Sequence, residues 1–334
     1  MYRKLKSVFL AVSLLSLGAL SSCQATHTPS KTAKVDENAR NITSLSHDIT
    51  PFPSVFDVFA CKPDNLAFVA AHRGTDSSSQ YPEDSLAGLQ KLVEHGVPFA
   101  EIDIARLKGG PMILFHDGFW NKRAAGPNAI LAKPLAATTW AESQKLLMRD
   151  ASGRITAERI ARFDDILSFA KDKIYLEIDF KSSADEADVI NAIRKAGMID
   201  QVILIAYTPS QARRLYALAP EAMLSVGIFK PQDITALQEL GIPVSQMAAW
   251  TGKGPLTDKL AQALREHDIP ILAASFLSLD EDKGVSAQDY REFAIKPDLV
   301  VTDVAFTVQN ALAFPAKDEA AYRACLEKRT AQDK

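Results

Sequence analysis

The sequence is poor in cysteine. Cys23, Cys61 and Cys325 are too few for a disulfide-knit scaffold or a four-cysteine zinc site. No apolar run reaches the ~20 residues that a membrane-crossing helix needs. There is no basic excess either. Thirty-eight Lys+Arg stand against 41 Asp+Glu, a formal charge of −3, so the footprint of a general nucleic-acid binder is missing. Internal repeats and long low-complexity tracts are also absent. What 334 residues with 47% hydrophobic content do supply is a large core, which excludes disorder as the main state.

The near-neutral charge averages over unlike parts. Arg3, Lys4 and Lys6 precede a 13-residue apolar run, Val8–Leu20, followed by small residues. That pattern reads as a signal peptide over residues 1–22. Leu20-Ser21-Ser22-Cys23 resembles the bacterial lipobox, in which the cysteine is lipidated and becomes the new N-terminus. Gln24, where an aspartate would signal inner-membrane retention, implies the outer membrane. The expected address is therefore the bacterial cell envelope, lipid-anchored through Cys23 and facing the periplasm. Residues 23–60 are expected to be the lipidated cysteine and a flexible tether, and residues 61–334 the folded domain. Without residues 1–22 the chain keeps 35 basic and 41 acidic side chains, or −6. Cys61 and Cys325 then lie near the two ends of the domain. A closed barrel brings those ends together, and an oxidising periplasm permits one disulfide.

From residue 61 on, short Val/Ile/Phe-rich runs alternate with stretches of helical period. The strands are predicted at Ala67–Ala71, Pro98–Asp103, Ile174–Lys181, Val202–Tyr207, Met223–Phe229, Val244–Trp250, Pro270–Phe276 and Leu299–Asp303. Eight such strands with helical crossovers in ~270 residues suit an α/β fold of the TIM-type (β/α)8 barrel. An open doubly wound sheet is the alternative, but it calls for a Gly-rich phosphate loop after the first strand, and none is present. Met112–Phe115 follows the second strand too closely for a parallel crossover. It is predicted to form a β-hairpin extending that strand. A two-residue turn at Gly109-Gly110 sets Asp103 opposite His116, and a turn at Lys108-Gly109 sets Glu101 there instead.

Catalytic residues of such barrels come from the C-terminal ends of strands. Those ends carry His72-Arg73-Gly74, then Glu101 and Asp103, His116-Asp117, and Glu177, Asp179 and Lys181. Residues at i and i+2 share one face of a strand. Carboxylates converging in one cavity repel unless a cation neutralises them. All-oxygen ligation suits a hard divalent cation, Ca²⁺ or Mg²⁺. Two histidines beside them suggest a general acid and a general base. Arg73 and Lys181 offer positive charge for phosphate oxygens. The mouth is predicted to be lined by Tyr207, Phe229, Lys230, Trp250 and Phe276.

At these residues the chain resembles the glycerophosphodiester phosphodiesterase family. The matching signatures are Ala71-His72-Arg73-Gly74, Pro82-Glu83-Asp84-Ser85, Glu101-Ile102-Asp103, Phe115-His116-Asp117 and the acidic-x-Lys run ending at Lys181. The resemblance implies a metal-dependent barrel hydrolase that releases glycerol 3-phosphate and an alcohol from a small glycerophosphodiester. It implies that Glu101, Asp103 and an acid of the third strand bind the metal, and that His72 and His116 are the acid/base pair. Arg73 and Lys181 would bind phosphate, with Glu83 in support. Two positions depart from the pattern. Asp84-Ser85 replaces the common Asn-Thr, and Asp179-Phe180-Lys181 replaces the common Glu-x-Lys. Keeping Lys181 in register makes Asp179 the third ligand, and Glu177 is the other choice. The alternatives are a phospholipase C-like or sphingomyelinase D-like enzyme on the same barrel, or a catalytically silent surface lipoprotein that binds a phosphorylated ligand.

Overall fold

Strand β1 (Phe68–Ala71) pairs in parallel with β2 (Phe99–Arg106), and β2 with β6 (Tyr175–Phe180). The sheet continues through β7 (Val202–Ala206), β8 (Met223–Gly227), β9 (Met247–Lys253), β10 (Ile271–Ala274) and β11 (Leu299–Thr302). β11 returns to pair with β1, so eight parallel strands close a TIM-type (β/α)8 barrel. This computed structural model describes residues 49–254 and 256–332. They belong to the second of two units, residues 39–334. The signal peptide, Cys23 and most of the tether lie outside the described residues.

A helix, α1 (Val55–Cys61), precedes β1. The crossovers and C-terminus supply α2 (Leu86–Glu94), α3 (Phe163–Ala170), α4 (Glu186–Ala196), α5 (Pro209–Leu218), α6 (Gln232–Glu239), α7 (Asp258–Glu266), α8 (Ala287–Phe293), α9 (Ala305–Ala311) and α10 (Ala316–Gln332). Side-chain caps start many of them. Thr208 accepts from the backbone N–H of Gln211 with Pro209 at the first helical position, as the sequence leads one to expect.

Strand parity divides the core. Val69, Ala71, Ala100, Ile102, Leu176 and Ile178 point outward and pack under the helices. Phe68, Ala70, Phe99 and Tyr175 point inward. Continuing the inward stripes two residues at a time gives Glu101 and Asp103 on β2, and Glu177 and Asp179 on β6. The barrel interior is therefore apolar at the N-terminal ends of the strands and acidic at the C-terminal ends.

The apolar end is sealed by residues 49–61 and by α10, and here the tether expectation needs correction. Residues 49–60 are not free tether. Ser54 caps α1, and Val55, Val58, Phe52 and Phe59 pack with Phe68, Phe99 and Tyr175. The Tyr175 hydroxyl donates to the Pro53 carbonyl at 2.9 Å. α1 lies against α10, joined by the Asp57–Arg329 ion pair at 2.6 Å and by a disulfide between Cys61 and Cys325. The sequence hides this plug because α1 is only two turns long, too short for a helical period to stand out.

The hairpin forms, but in neither expected register. β3 (Met112–Leu114) runs antiparallel to β2, with Ile104 opposite Leu114 and Arg106 opposite Met112. The loop holds three residues, Lys108-Gly109-Gly110, with Gly109 and Gly110 at φ +86° and +110°. An odd loop shifts the register by one, so Asp103 faces Phe115 rather than His116. Residues 116–162 then make an insertion with its own small core around Trp120, Ile130, Leu135 and Leu146. It contains a two-stranded ribbon, β4 (Ala124–Ala125) with β5 (Leu147–Met148).

Candidate active site

β2 and β6 pair in register, so Glu101 sits beside Glu177 and Asp103 beside Asp179. One oxygen each of Glu101, Asp103 and Asp179 lies within 4.8 Å of the others, and all three residues are buried. Burial, then the charges of Asp103 and Asp179, hold the Glu101 carboxyl well above its usual range. Glu177 is pushed up to about 8 by burial alone. Asp103 Oδ2, Asp179 Oδ1 and Glu177 Oε1 are buried without a hydrogen-bond partner. Buried carboxylate oxygens without donors are what a hard, oxygen-ligated cation would satisfy, so the donor set fits a divalent ion.

Lys181 partly offsets this charge. Its Nζ lies 2.6 Å from Asp103 Oδ1 and 2.7 Å from Asp179 Oδ2. Burial would lower its pKa, but the two carboxylates outweigh burial and raise it. Tyr207 donates its hydroxyl to Asp179 Oδ2 at 2.6 Å.

The β1 end wraps over these carboxylates. The Arg73 backbone N–H donates to Glu101 Oε2 at 2.9 Å, which fixes that side chain from above. Arg73 adopts φ +54° and Asp84 φ +53°. The Asp84 N–H donates back to the Arg73 carbonyl, and Asp84 Oδ1 accepts from the Asp103 N–H at 3.1 Å. Burial, then Asp103 and Glu101, raise the Asp84 carboxyl. Ser85 next caps α2 through the Gly88 N–H. The Pro82–Ser85 signature thus ties the β1 loop, the β2 carboxylates and a helix start together.

Both histidines are held by carboxylates. His72 Nδ1 lies 2.8 Å from Asp303 Oδ1, its Nε2 lies 3.9 Å from Glu101 Oε2, and its ring stacks on Phe276 at 4.1 Å. His116 Nδ1 lies 2.7 Å from Asp117 Oδ1, while Asp117 Oδ2 accepts from Arg123 Nε at 3.1 Å. Arg123 and Arg73 both reach Glu83, Arg73 Nη1 donating to Oε2 at 3.2 Å. Burial, then the neighbouring Arg73, lower Arg123 to about 10.

His72, Arg73, Glu83, Glu101, Asp103, His116, Glu177 and Asp179 line one cavity of about 1280 Å³. Lys181 does not line it. Expected on a phosphate, Lys181 lies instead between two of the carboxylates, because residues 179 and 181 share a strand face and attract. Glu177 reaches the cavity but stands outside the group of three oxygens. Tyr207, Phe229, Trp250 and Phe276 line the mouth as expected. Lys230 does not, and Lys253 takes its place. Asp303, Arg123 and Lys253 are among the cavity residues that strand-end reading missed. Asp303 directly follows β11, so applying the strand-end rule to the last strand as to the first three would have found it. Arg123 comes from the insertion, which strand periodicity does not read.

A sequence profile of the Glycerophosphoryl diester phosphodiesterase family matches residues 72–266. Two curated relatives are similar over a shorter stretch. The uncharacterized protein YqiK of Bacillus subtilis is 27% identical over 161 residues, 46% of this chain and 63% of that protein. The glycerophosphodiester phosphodiesterase of Caldanaerobacter subterraneus is 26% identical over 167 residues, 48% of this chain and 65% of that protein. The chain thus spans less than two-thirds of the length of either. Among solved structures, a glycerophosphoryl diester phosphodiesterase from Parabacteroides distasonis has a TM-score of 0.69 at 22% identity, over 79% of this chain and 94% of that one. An Oleispira antarctica phosphodiesterase in complex with the product sn-glycerol-3-phosphate has a TM-score of 0.56 at 19% identity, over 74% and 96%. With the profile spanning more than half of its residues, this chain belongs to the glycerophosphoryl diester phosphodiesterase family.

Proposed function

We propose that this chain hydrolyses glycerophosphodiesters to glycerol 3-phosphate and an alcohol in a metal-dependent reaction. The observation that carries the reading is the buried Glu101–Asp103–Asp179 group in one cavity with two carboxylate-held histidines. The named activity of the Caldanaerobacter relative and the product bound to the Oleispira enzyme support it.

Glu101, Asp103 and Asp179 would hold a divalent cation, Ca²⁺ or Mg²⁺, with Glu177 behind them. Such an ion supplies positive charge that stabilises a phosphoryl oxygen. Arg73 adds a guanidinium to the same end of the cavity, steered by Glu83. Lys181 offsets the carboxylate charge and sets the spacing of Asp103 and Asp179. Each histidine has Nδ1 tied to an acid, which leaves Nε2 for proton transfer. One histidine removes the proton of the attacking hydroxyl, and the other protonates the departing alkoxide.

The proposed address is the bacterial outer membrane on its periplasmic face, through lipid on Cys23. Globomycin-sensitive processing and incorporation of labelled palmitate, both lost in Cys23→Ser, test that part.

The deciding experiment is a substrate panel. The mature protein, with Ca²⁺ or Mg²⁺ added, is offered glycerophosphocholine, phosphatidylinositol and sphingomyelin. Release of glycerol 3-phosphate from the first supports the reading. Turnover of either lipid alone, or binding without phosphomonoester release, overturns it. His72→Ala and His116→Ala should each remove most turnover while the fold persists, and near-full activity in either sinks the acid/base assignment.

A further inference from the structure

Charge is unevenly spread over this fold. The insertion, residues 116–162, carries eight Lys+Arg against four Asp+Glu, whereas the rest of residues 23–334 carries 27 against 37. A segment of net +4 is thus set on a body of net −10. Ion pairing sharpens the contrast. Asp117 is taken by Arg123, Glu142 by Lys133 and Asp150 by Arg154. Lys122, Lys145, Arg149 and Arg159 have no carboxylate partner among the described residues. The Arg149 guanidinium meets only the carbonyls of Ala124 and Gly153.

Two large apolar side chains stand out from the same segment. Phe119 is 59% exposed and Ile155 56%. Neither sits on loose chain. Beside Phe119, the Gly118 carbonyl accepts from the Leu135 N–H, and Phe119 itself bridges Pro134. The next residue, Trp120, is fully buried, its indole N–H donating to the Thr138 hydroxyl at 3.0 Å. Ile155 bridges Arg149 at the neck of a tight turn. The Asp150 carboxylate closes that turn, accepting from the Ser152 hydroxyl, the Arg154 N–H and Arg154 Nε. Ordered backbone therefore holds both side chains out in water, where their apolar surface stays wet unless something covers it.

These features share the rim of the cavity. Lys122, Leu131, Arg149, Ala151, Ser152 and Gly153 line it, and Phe119 and Ile155 each lie within three residues of that lining. Cations flanking exposed apolar side chains suit a surface that is anionic outside and apolar beneath. A soluble polyanion would satisfy the cations and leave Phe119 and Ile155 wet. We infer that the insertion docks the mouth of the barrel on an anionic phospholipid bilayer. Phe119 and Ile155 enter the head-group boundary, and Lys122 and Arg149 face the lipid phosphates. The described chain begins at Ile49, in the plug at the opposite end, so this contact is separate from the lipid proposed on Cys23. It is also independent of the reaction proposed above.

The test uses the mature chain with Cys23→Ser, which carries no acyl group. Co-sedimentation is measured with vesicles of phosphatidylcholine alone, or of phosphatidylcholine and phosphatidylglycerol in equal parts. The expected result is binding about tenfold or more tighter to the anionic vesicles, weakening as salt is raised. Lys122→Gln should weaken it about fivefold, the scale of one basic side chain at an anionic surface. Phe119→Ser combined with Ile155→Ser should weaken it about tenfold or more, as the loss of two inserted side chains implies. Circular dichroism and Tm should match the parent in each variant. Phe119→Trp keeps an aromatic ring there, and its emission should shift to the blue on anionic vesicles only. Equal binding to the two vesicles, or none to either, overturns the proposal. Anionic binding that the double serine variant leaves unchanged, with no blue shift in Phe119→Trp, overturns the placement on the insertion.

Discussion

Asp303 holds His72: its Oδ1 lies 2.8 Å from the imidazole Nδ1, across the seam where β11 closes on β1. Asp303 is itself fixed from behind. Its backbone N–H donates to Asp280 Oδ2 at 2.8 Å, and the same oxygen accepts from the Thr302 hydroxyl at 2.7 Å. The pair sets which nitrogen of His72 carries a proton and where the other points. Asp303 is a positioning residue. Asp303→Asn is expected to lower kcat about 10–100-fold with KM within about threefold, the scale of losing an orienting partner. Asp303→Glu should recover part of it. A KM effect with unchanged kcat would assign Asp303 to substrate binding instead.

Arg123 bridges the insertion to the barrel, touching Asp117 and Glu83. Two guanidiniums, Arg73 and Arg123, then share Glu83. Arg123→Ala should loosen His116 through Asp117 and remove one of the two guanidiniums on Glu83. The expected loss in kcat/KM is about tenfold or more, roughly that of one charge-assisted hydrogen-bond pair. Activity equal to the parent would place Arg123 in surface charge alone.

Much of the site was legible because strand parity is rigid. Once β2 and β6 were assigned, Glu101, Asp103, Glu177 and Asp179 had to face one way, and parallel pairing set them side by side. The hairpin was less legible, because parity there depends on loop length. One extra residue in Lys108-Gly109-Gly110 moved His116 off the expected position. It still reaches the cavity because it lies beyond the end of β3, where the strand rule no longer holds. α1 was hidden by its length, and Arg123 by an insertion built from helices of three or four residues and a ribbon of two-residue strands. Distances, not sequence, separate Asp179 from Glu177. Their sequence environments are alike, whereas only Asp179 brings an oxygen within 4.8 Å of Glu101 and Asp103.

The acidic end is expected to make stability depend on pH and on a bound divalent cation together. Glu177 is raised to about 8 by burial, and Glu101 and Asp84 are raised by burial and their acidic neighbours. A carboxyl raised in the folded state binds more protons there than in the unfolded chain, so stability falls as pH rises. For Glu177 the contribution is whole below about 4.5 and is lost as pH climbs through about 8. A divalent cation binds the ionised form and opposes the loss. Chelator-treated protein should therefore lose several degrees of Tm between pH 5 and pH 8, on the ~2–4 °C per kcal/mol scale of a large domain. Added Ca²⁺ or Mg²⁺ should restore most of it and restore turnover as well. A Tm gap between the two forms that does not widen with pH would falsify the cation site.

Lys181 tests the same charge cluster from the other sign. With the ammonium removed, Asp103 and Asp179 lose their nearest cation at 2.6 and 2.7 Å. Lys181→Met should cost the cation-free protein about 3 kcal/mol, the scale for breaking a buried pair. Because a divalent ion would supply the missing charge, the deficit should shrink in its presence. Urea unfolding with and without cation measures both. An equal deficit in the two conditions would make Lys181 a packing residue.

The disulfide belongs to the opposite end of the barrel. Cys61 ends α1 and Cys325 lies in α10, 264 residues apart. The bond staples the plug formed by Phe52, Phe59, Phe68 and Tyr322, while the carboxylates and histidines stand at the far ends of the strands. Cys325→Ser should therefore lower stability by about 3 kcal/mol through freer unfolded chains. Turnover at 25 °C should stay close to that of the parent, since the bond lies at the opposite end of the strands from the carboxylates and histidines. Paired measurements of Tm and kcat on oxidised, reduced and Cys325→Ser protein check this. A loss of kcat that parallels the loss of Tm would mean the plug reaches the site through the barrel.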